Sequence, residues 1–261
     1  SQAMKPLNPP LAGWSGRTVW VVGASSGIGL AVARALAQAG ARVMVSARQA
    51  EPLERFAHEH PQALACPLDV TGPDAAHAAV DNLLERWGRL DLVVYCVGHY
   101  RAQRADAYDC ADMQHHMEVN YFGALHVLDA VLPVLRSQRS GHISLVASVA
   151  GYRGLPQGLA YGPTKAALIH LAEVLYQDLR RDGVAVSVVN PGFVRTPLTA
   201  ANTFSMPALI EPEEAARQML AGWASGAFEI HFPRRFTWWL KLLRLLPYPL
   251  YYPAVRRVTG L

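Results

Sequence analysis

Thr18-Val19-Trp20-Val21-Val22-Gly23-Ala24-Ser25-Ser26-Gly27-Ile28-Gly29 is the stretch on which the fold turns. A short apolar run ends at a glycine, which reads as a buried strand. Glycines spaced GxxxGxG follow, and Ile28 to Ala39 then has helical composition up to Gly40. A strand, a tight glycine turn and a helix start bring free backbone N–H groups and about half a positive charge to one point. That combination suits a pyrophosphate approached closely by backbone. Gly23, Ser25, Ser26, Gly27, Ile28 and Gly29 are therefore candidate cofactor-binding residues.

The pattern repeats outward from this turn. Arg42 to Ala47, Leu64 to Leu68, Leu92 to Tyr95, Ile143 to Ala147, Val184 to Val189 and Phe228 to Phe232 read as strands. Pro73 to Trp87, Asp112 to Leu135, Thr164 to Arg181 and Pro212 to Ala224 read as helices. The main strands are apolar on both faces, as a parallel sheet covered by helices on both sides requires. The expected fold class is α/β: one doubly wound parallel sheet, with a ligand at its switch point. Residues 14–232 form the expected catalytic domain, after an N-terminal segment 1–13 and before a C-terminal amphipathic extension 233–261. Ser1-Gln2-Ala3 ahead of Met4 reads as a vector-derived leader.

Composition limits the function classes. The chain has 261 residues, 51% hydrophobic and 17% charged, which excludes a disordered chain and fits one large domain. The net charge is +4, yet Ile230 to Leu261 holds six basic residues and no acid, leaving residues 1–229 at −2. The basic tail is rich in Leu and Trp, which argues against nucleic acid as a partner. Three cysteines, Cys66, Cys96 and Cys110, lack CxxC spacing, so neither a disulfide framework nor a thiolate metal site is expected. No histidine pattern matches zinc either; the expected metal is none. Reduced cysteines and the lack of an apolar leader or a run of about 20 apolar residues fit a cytoplasmic location.

The second strand ends Val45-Ser46-Ala47-Arg48. An acid often stands at the place of Ala47 to bind ribose hydroxyls, whereas Arg48 would pair with a 2′-phosphate. This favours NADP over NAD. Further motifs come in order: Asp69-Val70, Gly98 after the fourth strand, Asn120 in Asn120-Tyr121-Phe122-Gly123, Ser148, Tyr161 and Lys165 as YxxxK, and Pro191, Gly192, Val194 and Thr196. Together they resemble the short-chain dehydrogenase/reductase family of about 250 residues, over residues 14–232. The resemblance implies a Rossmann-like fold and an NADP(H)-dependent oxidoreductase acting on a carbonyl or alcohol. It implies adenine contacts from Asp69-Val70 and nicotinamide contacts from the Pro191 turn. It implies catalytic roles for Asn120, Ser148, Tyr161 and Lys165, with Asn120 holding a water that links Lys165 to solvent, and cofactor contacts from Asn120, Tyr161 and Lys165 as well. Homodimers or homotetramers are common in the family.

The chemistry also follows from the residues. Tyr161 and Lys165 share one helical face. Carbonyl reduction needs a proton delivered to oxygen as hydride reaches carbon, and alcohol oxidation needs the reverse. Free tyrosine has a pKa of about 10; lowering it to about 7 takes roughly 4 kcal/mol. One ammonium at about 4 Å supplies roughly that at an effective dielectric near 20. Lys165 is thus expected to tune Tyr161, with Ser148 orienting the substrate oxygen. An apolar or lipid-like ketone or aldehyde is the expected substrate, from the apolar lid residues Leu198, Phe204 and Met206 after the Pro191 turn and from the amphipathic C-terminal extension. The alternatives are oxidative alcohol dehydrogenation and a non-catalytic NADP-binding regulator or membrane adaptor.

Two departures stand out. The family usually has Thr where Val22 stands, and Asn-Asn-Ala-Gly where Tyr95-Cys96-Val97-Gly98 stands. Cys96 is either a redox-sensitive thiol or a buried spectator. His99 and Tyr100 are candidates for the substrate mouth, and Gly151 to Pro156 for a loop over the substrate. In the tail, Arg234, Thr237, Lys241 and Arg244 form a polar stripe on a 13-residue helix otherwise covered by Trp and Leu. Such a helix suits either peripheral membrane contact through residues 234–261 or docking on a partner subunit or its own pocket.

Overall fold

The computed structural model describes residues 4–200, 202 and 206–260. Seven strands form one fully parallel sheet: β1 (Thr18–Val22), β2 (Arg42–Ser46), β3 (Leu64–Ala65), β4 (Leu92–Tyr95), β5 (His142–Val146), β6 (Ala185–Pro191) and β7 (Glu229–Phe232). The spatial order is β3-β2-β1-β4-β5-β6-β7, so the chain reverses direction across the sheet between β1 and β4. Helices are α1 (Gly27–Gln38), α2 (Ala50–Glu59), α3 (Ala75–Trp87), α4 (Cys110–Met117), α5 (Gly123–Gln138), α6 (Tyr161–Leu179), α7 (Pro212–Ser225), α8 (Arg234–Leu243) and α9 (Tyr248–Thr259).

Strand alternation divides the core into two layers. Trp20 and Val22 of β1 face Leu83 of α3, Val127 and Val131 of α5 and Leu168 of α6. Val19 and Val21 face Val32 and Leu36 of α1 and Met219 and Trp223 of α7. One chain of buried polar groups inside the sheet is paired internally. His142 Nε2 meets Ser187 Oγ at 2.7 Å, Ser187 donates to Ser144, and Trp223 Nε1 donates to Ser144 at 3.1 Å.

Some elements differ from the sequence-based expectation. No element is expected between Ala47 and Leu64, yet α2 forms there. It buries only Leu53 and Phe56, one short stripe on an otherwise charged helix. The third strand pairs over two residues rather than five. The long helix expected over Asp112–Leu135 is interrupted by a π-turn at Glu118–Phe122, which carries Asn120. The tail helix ends at Leu243, not Leu246, and Pro247 starts a second helix, α9, in which Pro249 occupies the first turn. The segment before residue 14 is packed as well. Asn8 is buried and donates to Val186 O at 2.8 Å, and Leu11 N bonds to Trp223 O.

Candidate active site

The glycine turn between β1 and α1 is built by close contact. Gly23 has φ +94°, and a Cβ there would lie 2.5 Å from Cys96 O. A Cβ on Gly29 would lie 2.0 Å from Gly23 O, so α1 rests directly on the turn. Ser26 places no side chain on the helix N-terminus, and the first turn of α1 carries no acid. Its N–H groups and positive end therefore face a cavity of about 760 Å³ at the sheet's switch point.

All the residues expected to hold the cofactor, apart from Asn120, line this cavity. Ser25, Ser26, Gly27 and Ile28 stand at the turn. Arg48, Asp69 and Val70 stand beyond β2 and β3, and Gly98 follows β4. Bonds from the Thr71 hydroxyl and amide hold the Asp69 carboxyl below its usual range, and Arg48 and His115 add to this. Pro191, Gly192, Val194 and Thr196 close the other end. The Thr196 side chain sits 3.2 Å from where a Gly27 Cβ would be. Leu198 crosses the mouth to within 3.5 Å of a Cβ built on Gly98. Met206 accepts a weak bond from Asn202, and Phe204 lies outside the described residues.

Ser148, Tyr161 and Lys165 meet in the same cavity, where β5 and the start of α6 converge. The Ser148 Oγ accepts from Ala150 N at 3.0 Å, and its hydroxyl is the group that pulls the Tyr161 phenol down. Lys165 Nζ donates to Val146 O at 3.2 Å and lies 5.4 Å from the Tyr161 ring centre. Burial pushes the phenol well above its usual value, with Ser148 pulling partly the other way. Burial also pulls the Lys165 ammonium down to about 8. Ser148, and not Lys165, is the group that pulls the phenol down in this arrangement. The expectation placed the ammonium about 4 Å from the phenol; here Lys165 is buried and its ammonium is tied to the Val146 carbonyl.

Asn120 is fully buried behind the cavity. Its Oδ1 accepts from His99 N at 2.7 Å, and its Nδ2 donates to His99 O and Thr164 Oγ1. It therefore joins the loop after β4 to α6. The missing amides of that loop are replaced in part by Tyr95, whose hydroxyl donates to Val119 O at 2.5 Å in the same π-turn. A Cβ on Gly123 would meet that hydroxyl at 2.3 Å, so tyrosine and glycine fit together. Burial raises the Cys96 thiol to about 11, which keeps it protonated and fits the spectator reading.

His99 lines the cavity, and the Tyr100 ring stands edge-on to Tyr161 at 5.2 Å. His99, Asp112 and His116 bring ligand-type atoms within 4.8 Å of one another, a cluster that sequence spacing does not reveal. It is a hydrogen-bonded network: His116 Nδ1 meets Asp112 O at 2.7 Å and its Nε2 accepts from Arg101 N. Residues 150–159 border a second cavity of about 640 Å³ and do not border the first. Sequence reasoning also missed how this loop is held. Tyr152 donates to Glu229 on β7, and Arg153 donates to the carbonyls of Leu243, Arg244 and Leu246. Only the unusual Tyr152-Arg153 pair amid small residues hinted at it.

The parallel sheet, the glycine turn at its switch point and the Ser–Tyr–Lys group beside it define the class, an α/β protein of Rossmann type built to hold a dinucleotide. A family model described as short chain dehydrogenase matches residues 17–205. The chain belongs to that family and is an oxidoreductase of it. An uncharacterized oxidoreductase of Myxococcus xanthus (strain DK1622) is 37% identical over 252 residues, covering 95% of this chain and 100% of the relative. A short-chain dehydrogenase from Streptomyces avermitilis has TM-score 0.75 at 27% identity, covering 85% of this chain and 88% of that one. A short chain dehydrogenase/reductase from Burkholderia phymatum in complex with NAD has TM-score 0.83 at 22% identity, covering 90% and 95%. That last likeness concerns the fold.

Proposed function

We propose that the protein is an NADP(H)-dependent reductase of an apolar or lipid-like ketone or aldehyde. The observation that carries this reading is the meeting of Ser148, Tyr161 and Lys165 in the cavity onto which the uncapped α1 N-terminus opens. The site's residues fit a dinucleotide, because Gly23 and Gly29 let the turn and α1 pack backbone against backbone, which brings the uncapped α1 N–H groups to the cavity where a phosphate would bind. When bound, the nicotinamide supplies the hydride that forms the new C–H bond. The burial-raised pKa keeps the proton on the Tyr161 oxygen at neutral pH, which is the form reduction uses. Tyr161 gives that proton to the carbonyl oxygen, and Ser148 donates a hydrogen bond to the same oxygen. Lys165 holds ribose hydroxyls and positive charge beside the phenol, and Asn120 supports the path by which Tyr161 is reprotonated.

NADP rather than NAD rests on Arg48, exposed at the end of β2 next to Ala47. The Burkholderia phymatum structure holds NAD, but its identity of 22% carries the fold and not the cofactor preference. Leu198 across the mouth and Tyr100 against Tyr161 support an apolar substrate.

The test is NADPH and NADH oxidation over a panel of acyl, steroid, sugar and quinone carbonyls. Turnover with NADPH, weakened by roughly tenfold or more in Kd in Arg48→Glu while NADH binding holds, supports the reading. Turnover only with alcohols and NADP⁺ moves the protein to oxidative dehydrogenation. NADPH binding with no turnover in either direction makes it a cofactor-binding regulator.

A further inference from the structure

Helix α8 is turned the opposite way from an ordinary surface helix. Its polar side faces the protein. Thr237 is fully buried and its hydroxyl meets His231 Nδ1 at 2.6 Å. Lys241 pairs with Glu229 of β7, and the Arg244 guanidinium lies 5.0 Å over the Tyr152 ring. Of the stripe expected from the sequence, Thr237 is buried and Lys241 is partly buried, while Arg234 and Arg244 stay exposed. The outward side presents Trp238, Trp239 and Leu242, and the following turn adds Leu245; Trp239 is 69% exposed and Leu245 75%. Tyr248, Leu250 and Tyr252 extend the apolar surface onto α9.

This orientation is held by specific bonds. Besides the Lys241–Glu229 pair, Arg153 binds three carbonyls at the end of α8, and Tyr251 donates to Gly154 O at 2.8 Å. Phe236 packs on Gly192 and on the Phe193 ring, 5.9 Å away. Rotating α8 to bury its tryptophans would break the ion pair and leave the partly buried Glu229 carboxylate without its cation, and would expose the Thr237–His231 contact.

The charges around the patch indicate what covers it. Arg234 and Arg235 are exposed, each one helical turn before Trp238 and Trp239 and so on the same face. Arg256 and Arg257 are exposed on α9, and no Asp or Glu occurs from Ile230 to Leu261. A second copy meeting this face about a two-fold axis would set arginines against arginines with no carboxylate between them. An anionic lipid surface offers the complementary charge, with the tryptophans at headgroup depth. Ten residues of α8 are about 15 Å long, against a hydrocarbon core of about 30 Å. No helix among the described residues is long and apolar enough to cross a membrane. We propose that the outward face of α8 and the start of α9 docks the protein, in the plane of the interface, on an anionic phospholipid bilayer.

The test uses the full chain in co-sedimentation with vesicles of mixed phosphatidylglycerol and phosphatidylcholine, and with pure phosphatidylcholine. Binding to the anionic vesicles is expected to be at least roughly tenfold tighter and to weaken as salt rises. A Trp238→Ser/Trp239→Ser variant is expected to lose roughly tenfold or more on both vesicles, because interfacial binding scales with buried apolar surface. An Arg234→Gln/Arg235→Gln variant is expected to lose about fivefold per arginine on anionic vesicles. Both variants retain NADPH affinity and folding, read by fluorescence titration and circular dichroism. Parent protein that stays in solution with anionic vesicles overturns the proposal, as does a tryptophan variant that sediments like the parent. A parent dimer that ignores vesicles and becomes monomeric in the tryptophan variant, by sedimentation velocity, overturns it too and assigns the face to a second copy.

Discussion

Lys165 stands 5.4 Å from the centre of the Tyr161 ring and donates to Val146 O, so the ammonium is held by the end of β5 rather than by the phenol. Burial lowers its pKa to about 8. Below that value the ammonium is charged, as the proposed holding of ribose hydroxyls beside Tyr161 requires; above it the charge is lost. The reductive kcat/KM is therefore expected to fall as pH rises through about 8. Lys165→Met is expected to give a low profile without this limb, and Tyr161→Phe to lower kcat by about 10²–10⁴-fold while leaving NADPH affinity nearly unchanged. Steady-state rates between about pH 6 and pH 10 check this. A profile flat to about pH 9.5 in the parent protein contradicts the assignment.

The contact between Gly29 and Gly23 O leaves no room for a methyl group, which would lie 2.0 Å from that oxygen. Gly29→Ala is expected to push α1 away from the turn, costing about 1–3 kcal/mol of stability. NADPH affinity is expected to fall by at least roughly tenfold, because the phosphate-facing amides move with the helix. Gly72→Ala is the control, since its methyl would meet only Asp69 O at 3.6 Å. Urea midpoints and fluorescence titrations separate the two variants.

His142 is buried in β5 and its pKa is lowered to about 4 by desolvation. In the unfolded chain it titrates near its ordinary value of about 6.5. Between these values the unfolded state binds a proton that the native state does not, so stability falls as pH drops through this window. The loss amounts to about 3 kcal/mol by the time both pKa values are passed. Urea unfolding at about pH 7.5 and about pH 5 measures it, and His142→Gln is expected to remove His142's share of the pH slope.

Arg153 joins the loop after Ser148 to the C-terminal helices through three carbonyls and stacks 3.9 Å over the Tyr251 ring. Arg153→Ala is expected to loosen α9 without unfolding the sheet. Hydrogen exchange over residues 244–260 should rise by roughly an order of magnitude, while β4 and β5 keep their protection. Equal loss of protection in the sheet would show that the C-terminal helices fold as one unit with it.

Strand runs, the glycine turn and the YxxxK spacing are local signals, so the parallel sheet and the grouping of Gly23, Ser148 and Tyr161 around one cavity were legible. Short or weak elements were not. Helix α2 rests on two apolar side chains, and α9 begins in a proline-rich run that reads as irregular chain. The π-turn at Asn120 depends on Tyr95 reaching Val119 across 24 positions. Periodicity within one segment has no access to such a contact.

The amino-acid sequence by itself determined the α/β class, the order of the motifs and the residue types available for hydride-transfer chemistry. Those follow from hydrophobic period and from turn geometry, which are properties of neighbouring residues. Tertiary structure alone decided which way the C-terminal helix faces. The polar stripe of α8 is the same in either orientation when read from the sequence. Glu229, His231 and Tyr152 supply its partners from β7 and the Ser148 loop, and those bonds turn the tryptophans outward. Tertiary structure also decided where the Lys165 ammonium goes, because the Val146 carbonyl that it meets lies 19 positions away on β5.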